Sequence, residues 1–216
     1  MHLFYWDFLE DLEELKQRLK GGSVIAGETD TIIGLFAQCS HDTFKKLNEI
    51  KGRSNKPYIF LVSDIKKAKK LVDSACYELL DTVGAIVWPG QVTVIMKANN
   101  DEYSYAAASD GTIAIRVPDN QKIRVFLDDF DALFSTSANK HQEPTPQLLE
   151  YIDPELLKYI DALVVFKERQ AAQRSSTIIR VDKNNITVIR GMLCSKIAEA
   201  LKRAGFVFVI PMVQEG

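Results

Sequence analysis

The chain has 216 residues, of which 46% are hydrophobic and 26% are charged, and its formal net charge is -2. This composition is ordinary for a globular protein that buries its own core, and the near-neutral charge argues against a generally basic nucleic-acid binder, so any anion site must be local. The three widely spaced cysteines, Cys39, Cys76 and Cys194, argue against a disulfide framework or a structural zinc site and predict a reducing compartment, the cytoplasm.

The first half of the chain is predicted to alternate helices with short buried strands. Four leucines between residues 9 and 19 recur at helical spacing, and Gly21-Gly22 ends this first helix. Asp64 is predicted to cap a later helix. The predicted helices are 7–20, 41–50, 64–72 and 74–83, and the predicted strands are 23–26, 58–62 and 92–96.

The second half continues the mixture but adds two consecutive strands. The runs 177–181 and 186–189 are joined by Asn184-Asn185 with no helix between them, so the sheet cannot be purely parallel. We therefore predict a single α/β or mixed α+β domain over 1–216. The further predicted strands are 112–117, 132–135 and 162–166, the helices are 121–130, 147–151 and 195–204, and the polar segment 167–176 is predicted to be a mobile loop.

Neither end of the chain predicts an association with a membrane. The N-terminus lacks the basic start and long apolar stretch of a signal peptide. The longest apolar runs, such as 162–166 and 206–212, are too short to span a bilayer.

A cluster of cations lies between a predicted helix and a predicted strand. Lys51, Arg53 and Lys56 fall within six residues, beside Gly52. Arginine forks onto two phosphate oxygens and lysine adds a compact charge, so the cluster could bind a polyphosphate. A solvated loop whose cations compensate the helix dipole explains the same residues, and the sequence leaves both interpretations open.

Two groups of hydroxyls follow predicted strands. Ser135, Ser137 and Asn139 alternate along the chain and share one side, which makes either a hydrogen-bonding wall or an ordinary polar strand exit. Thr29 and Thr31 could orient a small polar ligand or satisfy their own backbone.

Arg116 lies in an otherwise apolar strand and needs an anionic partner if it is buried. That partner could be a ligand carboxylate or an internal aspartate. The chain contains neither glycine-rich phosphate loop, no paired-histidine metal motif and no nucleophilic serine elbow.

Taken in chain order, these motifs resemble the YrdC/TsaC family of threonylcarbamoyl-AMP synthases. The resemblance covers about 22–191, and although one such motif means little, seven in order are specific. The matching segments are 28–35 (ETDTIIGL, family P-T-[DE]-T-V-Y-G-L), 51–57 (KxR, then K-P), 88–93 (WPGQVT, family W-P-G-P-L-T), 116–118 (R-x-P), 137–144 (SxN, then E-P), 175–177 (SST, family P-S-T) and 190–191 (R-G).

Three positions depart from the family pattern. Glu28 replaces a proline and would place a negative charge beside the pocket. Ile33 replaces a tyrosine that lines the pocket, and Gln91 replaces a second proline. These departures leave room for a divergent paralogue.

The resemblance implies a twisted, open, mostly parallel sheet flanked by helices, with a large concave basic cavity. It also implies a reaction in which L-threonine, bicarbonate or CO₂ and ATP form threonylcarbamoyl-AMP and pyrophosphate. Mg²⁺ would bind through the ATP phosphates, without a protein metal site. Partner proteins would then transfer the threonylcarbamoyl group to an adenosine of tRNA.

The resemblance also implies roles for individual residues. Lys51 and Arg53 would be catalytic through charge stabilisation, and a guanidinium at Arg116 would orient the threonine carboxylate. The implied ATP-binding residues are Lys51, Arg53, Lys56, Thr112, Ser137, Asn139, Thr145 and Arg190, and the implied threonine-binding residues are Thr29, Thr31, Arg116, Ser135 and Ser176.

Two other functions remain open at the level of sequence. The first is a non-catalytic RNA-binding protein on the same scaffold, which tight, salt-sensitive RNA binding without nucleotide turnover would reveal. The second is a relative that adenylates or carbamoylates another small substrate.

Overall fold

The computed structural model describes residues 2–52, 57–99, 103–168 and 174–209. Seven α-helices and eleven β-strands lie within these ranges. The helices are α1 (Leu9–Lys20), α2 (His41–Lys51), α3 (Ile65–Leu71), α4 (Tyr77–Val87), α5 (Gln121–Leu127), α6 (Pro154–Leu157) and α7 (Ser195–Arg203). The strands are β1 (His2–Tyr5), β2 (Ile25–Gly27), β3 (Gly34–Gln38), β4 (Ile59–Leu61), β5 (Val92–Lys97), β6 (Thr112–Arg116), β7 (Leu133–Ser137), β8 (Ala162–Val165), β9 (Thr177–Asp182), β10 (Asn185–Arg190) and β11 (Val207–Val209).

All the described strands form one sheet in the order β1-β8-β2-β3-β7-β4-β6-β5-β9-β10-β11. The mixed α/β class is therefore confirmed. The expectation of a mostly parallel sheet is wrong, because five of the ten described strand pairs are parallel and five are antiparallel. Much of the difference comes from β7, which runs antiparallel to both of its neighbours, β3 and β4.

Apolar side chains cover both faces of this sheet. Successive residues of a strand point to opposite faces, so Leu35 and Phe36 of β3 enter two different hydrophobic clusters. The predicted leucine stripe of α1 is confirmed, since Leu12, Leu15 and Leu19 are buried in the cluster that also contains Trp6.

Most of the predicted elements are present, and the differences have local causes. The Asp64 carboxylate accepts a hydrogen bond of 2.8 Å from the Lys67 amide, which confirms the predicted cap. The predicted helix over 147–151 is only a 3-10 turn, Leu149–Tyr151. The hairpin turn lies one residue earlier than predicted, at Lys183-Asn184, where Lys183 adopts a left-handed φ of 53°.

The sequence patterns did not predict strands β1, β3 and β11. Strand β3 is buried along nearly its whole length, so it lacks the alternation of polar and apolar residues that marks a half-exposed strand. Strands β1 and β11 are short edge strands that depend on their neighbours.

In the part of the chain that the structure describes, no helix has the length and apolar character needed to cross a membrane. Cys39, Cys76 and Cys194 form no disulfide with one another.

Candidate functional site

A cavity of about 220 Å³ opens where strands β3, β6, β7 and β9 meet the turn after β2. The five predicted threonine-binding residues all line it, although they come from four separate segments of the chain. Three of the predicted ATP-binding residues join them. The predicted residues at the cavity are Thr29, Thr31, Arg116, Ser135, Ser137, Thr145, Ser176 and Arg190.

Arg116, at the end of β6, is 3% exposed and forms a buried ion pair. Its Nη1 lies 2.8 Å from both carboxylate oxygens of Asp30, and Asp30 Oδ2 also accepts the Asp119 amide at 2.8 Å. Of the two partners left open by the sequence, the internal aspartate is therefore present.

The same guanidinium keeps one donor unused. Arg116 Nε is buried and has no hydrogen-bond partner among the described residues, although Arg116 lines the cavity. A buried donor without a partner costs about 1–3 kcal/mol. This edge of Arg116 is therefore suited to an acceptor that enters the cavity.

Thr29 and Thr31 have different local roles. Thr29 Oγ1 accepts the amides of Thr31 and Ile32 at 2.9 and 3.1 Å and donates to the Ile32 carbonyl at 2.7 Å. Thr29 thus satisfies its own turn, which was one of its two interpretations. Thr31 Oγ1 lies 2.9 Å from Thr29 Oγ1, so the turn holds the second hydroxyl at the cavity wall.

Arg190 and Ser176 close the side of the cavity formed by β9 and β10. Arg190 Nη2 donates to the Ser176 carbonyl at 2.9 Å, and Ser176 Oγ lies 2.8 Å from Thr93 Oγ1. Partial desolvation lowers the pKa of Arg190, but an arginine stays protonated at neutral pH. No carboxylate in the described ranges pairs with Arg190, so its charge is available to an anion.

The side chain of Lys51 is not exposed to solvent, as it would be on a solvated loop. Its side chain is buried, and its Nζ donates to the Ser137 carbonyl at 2.7 Å, to Asn139 Oδ1 at 3.0 Å and to the Asn139 carbonyl. The ammonium thus holds the end of β7 and the loop that follows it in place. Lys51 is not among the described residues that line the cavity. Arg53 and Lys56 lie outside the described residues.

A second cleft of about 380 Å³ adjoins the cavity, and Thr145 lines both. Asn139 lines this cleft but not the cavity. Its side-chain amide donates to the Glu143 carbonyl and its Oδ1 accepts from Lys51. Asn139 thereby shapes the loop that separates the two spaces.

Thr112 is not brought to the cavity. It starts β6, while Arg116 ends it, and four residues of a strand span about 13 Å. The Thr112 hydroxyl instead donates to Asp110 Oδ1 at 2.7 Å, and Asp110 pairs with Arg180 at 2.6 Å. The implied ATP contact of Thr112 is not supported by this placement.

The Asp110 group predicts a pH dependence of stability. Hydrogen bonds from Thr112 and Arg180 lower the pKa of Asp110 from 3.8 to about 2. Because the folded pKa lies below the unfolded one, this stabilisation is present above about pH 4 and is lost as the pH falls towards 2. We expect Asp110→Asn to unfold at lower urea than wild type at pH 6, with a smaller gap at pH 3. An equal gap at both pH values would contradict this assignment.

The three departures from the family pattern do not lie where the resemblance implied. The Glu28 carboxylate accepts the Phe166 amide at 2.9 Å, so its charge caps the end of β8 and does not face the cavity. Ile33 is buried in the core, and its neighbour Ile32 lines the cavity instead. Gln91 Nε2 donates to the Asp30 carbonyl at 2.6 Å.

Gly34 leaves space at the cavity wall. A Cβ at this position would lie 3.2 Å from the Thr136 carbonyl and beside Ser135 Oγ and Thr29 Cγ2, both at the cavity. We expect Gly34→Ala to weaken the binding of L-threonine, the ligand that the family resemblance implies for this cavity, while the unfolding midpoint changes little, since the clash is a few tenths of an ångström. Titration with L-threonine and urea unfolding test this, and an unchanged affinity would show that the space is not used.

Several cavity residues were not predicted. Ile178 follows Ser176 by two residues on the same side of the chain, which is a signal that alternation could have provided. Asp30, which holds Arg116 but does not itself line the cavity, stands between two predicted residues, but nothing in the sequence pairs it with Arg116. The remaining unpredicted lining residues are Ile32, Gly34, Pro57, Ile59, Thr136 and Ser175.

Fold and site together define a mixed α/β protein with a polar small-molecule cavity at one end of its sheet. The Sua5/YciO/YrdC family model, described as "Telomere recombination", matches residues 17–191, so this chain belongs to that family.

Relatives at moderate identity carry one recurrent name. A "Putative threonylcarbamoyl-AMP synthase" from Methanocaldococcus jannaschii is 30% identical over 83% of this chain and 84% of its own length. The "Threonylcarbamoyl-AMP synthase" of Bacillus subtilis is 32% identical over 64% of this chain, which covers only 41% of that protein.

A solved structure shows the same fold. P. abyssi Sua5 complexed with L-threonine superposes with a TM-score of 0.78 at 18% identity, over 92% of this chain and 60% of that one.

Proposed function

We propose that this protein is an L-threonylcarbamoyladenylate synthase, an enzyme of the nucleotidyltransferase class. The observation that carries the proposal is the convergence of Arg116, Arg190 and several hydroxyls on one cavity from distant parts of the chain. The names of the relatives support it, as does the L-threonine bound to P. abyssi Sua5.

The proposed reaction needs positioning more than side-chain chemistry. The threonine amine adds to CO₂ and loses a proton, which gives a carbamate. A carbamate oxygen then attacks the α-phosphorus of ATP, and the bond from that phosphorus to the pyrophosphate oxygen breaks. Both reactants are held in one cavity, so orientation lowers the barrier.

Threonine is assigned to the part of the cavity around Arg116. Its carboxylate would accept from Arg116 Nε, the donor that the protein leaves unused, and from the neighbouring Nη2. Thr31, Ser135 and Ser176 provide hydroxyls for the amine and side chain. Thr29 would act through the turn that holds Thr31.

The nucleotide is assigned to the part near Arg190 and Ser137, with Thr145 leading to the second cleft. Of the two described arginines that line the cavity, Arg116 pairs with Asp30, whereas Arg190 pairs with no described carboxylate. Arg53 and Lys56 would add further positive charge. Lys51 would act by holding Ser137 and Asn139 in position and by placing a positive charge next to them. The described residues contain no group of three metal-ligating side chains, so Mg²⁺ would be held by the phosphates, where it assists the leaving pyrophosphate.

The adenylate would pass to partner proteins that modify tRNA. Three cysteines that form no disulfide with one another are consistent with a reducing compartment, which we propose is the cytoplasm.

One assay tests the proposal. Purified protein is incubated with ATP, L-threonine, bicarbonate and Mg²⁺, and pyrophosphate and the adenylate are measured. We expect pyrophosphate release that requires both threonine and bicarbonate. Salt-sensitive RNA binding without any nucleotide turnover would instead identify a non-catalytic RNA-binding protein. Turnover with another amine in place of threonine would identify an enzyme that adenylates or carbamoylates a different substrate.

A further inference from the structure

The contact between Asp30 and Arg116 is one-sided. Both oxygens of Asp30 lie on the same nitrogen, Nη1, at 2.8 Å. In many Arg–carboxylate pairs the two oxygens instead occupy two different nitrogens. Here the Nε donor has no partner among the described residues. Asp30 therefore holds the guanidinium by one corner and leaves the fork of Nε and Nη2 for another acceptor.

We propose that Asp30 and Gln91 are positioning residues that fix Arg116 with this fork open to the substrate carboxylate. The inference rests on the proposed function, because it assumes that a carboxylate enters the cavity. It adds two residues that do not touch the substrate, and one of them, Gln91, stands where the related family has a proline that could not donate this hydrogen bond.

Asp30 is itself held on three sides. Its Oδ2 accepts the Asp119 amide at 2.8 Å, and its backbone carbonyl accepts Gln91 Nε2 at 2.6 Å. The pair is buried, with side-chain exposures of 4% for Arg116 and 5% for Asp30. A rotation of the guanidinium would break both Nη1 contacts of this buried ion pair, so its orientation is fixed before the substrate arrives.

Gln91 also connects the two sides of the cavity. Its side chain reaches the Asp30 turn, while its backbone carbonyl accepts the Thr177 amide at 3.0 Å, next to Ser176. One residue at the start of β5 thus sets the spacing between the carboxylate anchor and the hydroxyl side of the cavity.

The ion pair also determines how a carboxylate is recognised. Asp30 neutralises the charge of Arg116, so recognition relies on two directed hydrogen bonds more than on net charge. A planar carboxylate satisfies that geometry, whereas a neutral amide at the same position offers one acceptor and a donor that opposes the fork. The cavity should therefore prefer L-threonine to L-threoninamide.

The experiment compares the dissociation constants of L-threonine, L-threoninamide and ATP by calorimetry in wild type, Asp30→Asn, Asp30→Glu and Gln91→Leu. Asp30→Asn is expected to weaken L-threonine at least tenfold while the constants for L-threoninamide and ATP change less than twofold. Asp30→Glu keeps the charge and should restore most of the affinity. Gln91→Leu should weaken L-threonine about threefold, again without affecting ATP. Asp64→Asn, which makes the same change of a carboxylate to an amide at a helix cap away from the cavity, is the control and should leave all three constants unchanged.

Equal changes for all ligands, or no change for L-threonine, would overturn the positioning role. If Asp30→Asn fails to fold, the Asp30→Glu and Gln91→Leu proteins carry the test by the same criteria. An Arg116→Lys protein separates this inference from the proposed function. If Arg116→Lys loses L-threonine and the Asp30 and Gln91 variants do not, only the positioning role fails. If Arg116→Lys also binds L-threonine normally, the assignment of the threonine site to Arg116 fails as well, whereas the proposed function itself fails only if wild type binds no L-threonine.

Discussion

Arg116→Lys is expected to reduce threonine-dependent pyrophosphate release by about ten- to a hundredfold. A lysine can keep the ion pair with Asp30, but it offers no planar fork for a carboxylate. A hydrogen bond to a charged group contributes about 1.5–3 kcal/mol, and each 1.4 kcal/mol corresponds to a factor of about ten. The loss should be seen mainly as a higher KM for threonine, with the KM for ATP nearly unchanged.

Retention of charge makes Arg116→Lys a sharper test than removal of the side chain. Arg116→Ala would leave the buried Asp30 carboxylate without a cationic partner, which costs about 3–5 kcal/mol and confuses folding with function. Arg180→Lys is a matched control, since Arg180 forms an ion pair with Asp110 outside the cavity. Full activity of Arg116→Lys with an unchanged threonine KM would remove the basis of the threonine site.

Lys51→Met is expected to abolish pyrophosphate release and also to destabilise the protein. The buried ammonium has three acceptors in the loop after β7, at Ser137 and Asn139. Each hydrogen bond from a charged donor contributes about 1.5–3 kcal/mol, so the loss of stability should be several kcal/mol, even though Ser137 Oγ still donates to Asn139 Oδ1. A lysine on a solvated loop, which the sequence left open, could be replaced without loss of stability, but Lys51 is buried.

The measurement pairs pyrophosphate release with urea unfolding. Lys45→Met on the same helix is the control, because Lys45 is exposed and should tolerate the change with full activity and stability. A Lys51→Met protein as stable as wild type would show that its hydrogen bonds to the loop are not maintained. Wild-type activity would refute a role for Lys51 in the site by any route.

The fold class and most of the elements could be predicted because their signals are local. The leucine spacing of α1, the Asp64 cap and the run of apolar residues in β6 each depend on a few neighbouring residues. The failures have a common cause. Strand β3 is buried on both faces and β7 runs against its neighbours, and both facts arise from pairing between distant segments.

The residues of the candidate site also divide into those that the sequence could predict and those whose placement depends on distant segments. Family motifs in order identified eight residues that line the cavity, from Thr29 to Arg190, since the residue types that suit a carboxylate and phosphates are visible in a sequence. The resemblance implied Thr112 as a further ATP-binding residue. It lies at the opposite end of β6 from Arg116 and donates to Asp110, a placement that no local sequence pattern indicates.

The sequence by itself determined which chemical groups this protein possesses, their order, and the periodicities that make them helices and strands. Only the tertiary structure decided which of those groups meet. Asp30 and Arg116 are 86 residues apart, and Lys51 and Asn139 are 88 apart, yet the first contact is buried and the second is partly buried. Strand order and direction bring such residues together, and burial then reduces the competition from water. The sequence alone therefore cannot distinguish a charged side chain that binds a ligand, as we propose for Arg116, from one that hydrogen-bonds within the protein, as Lys51 does.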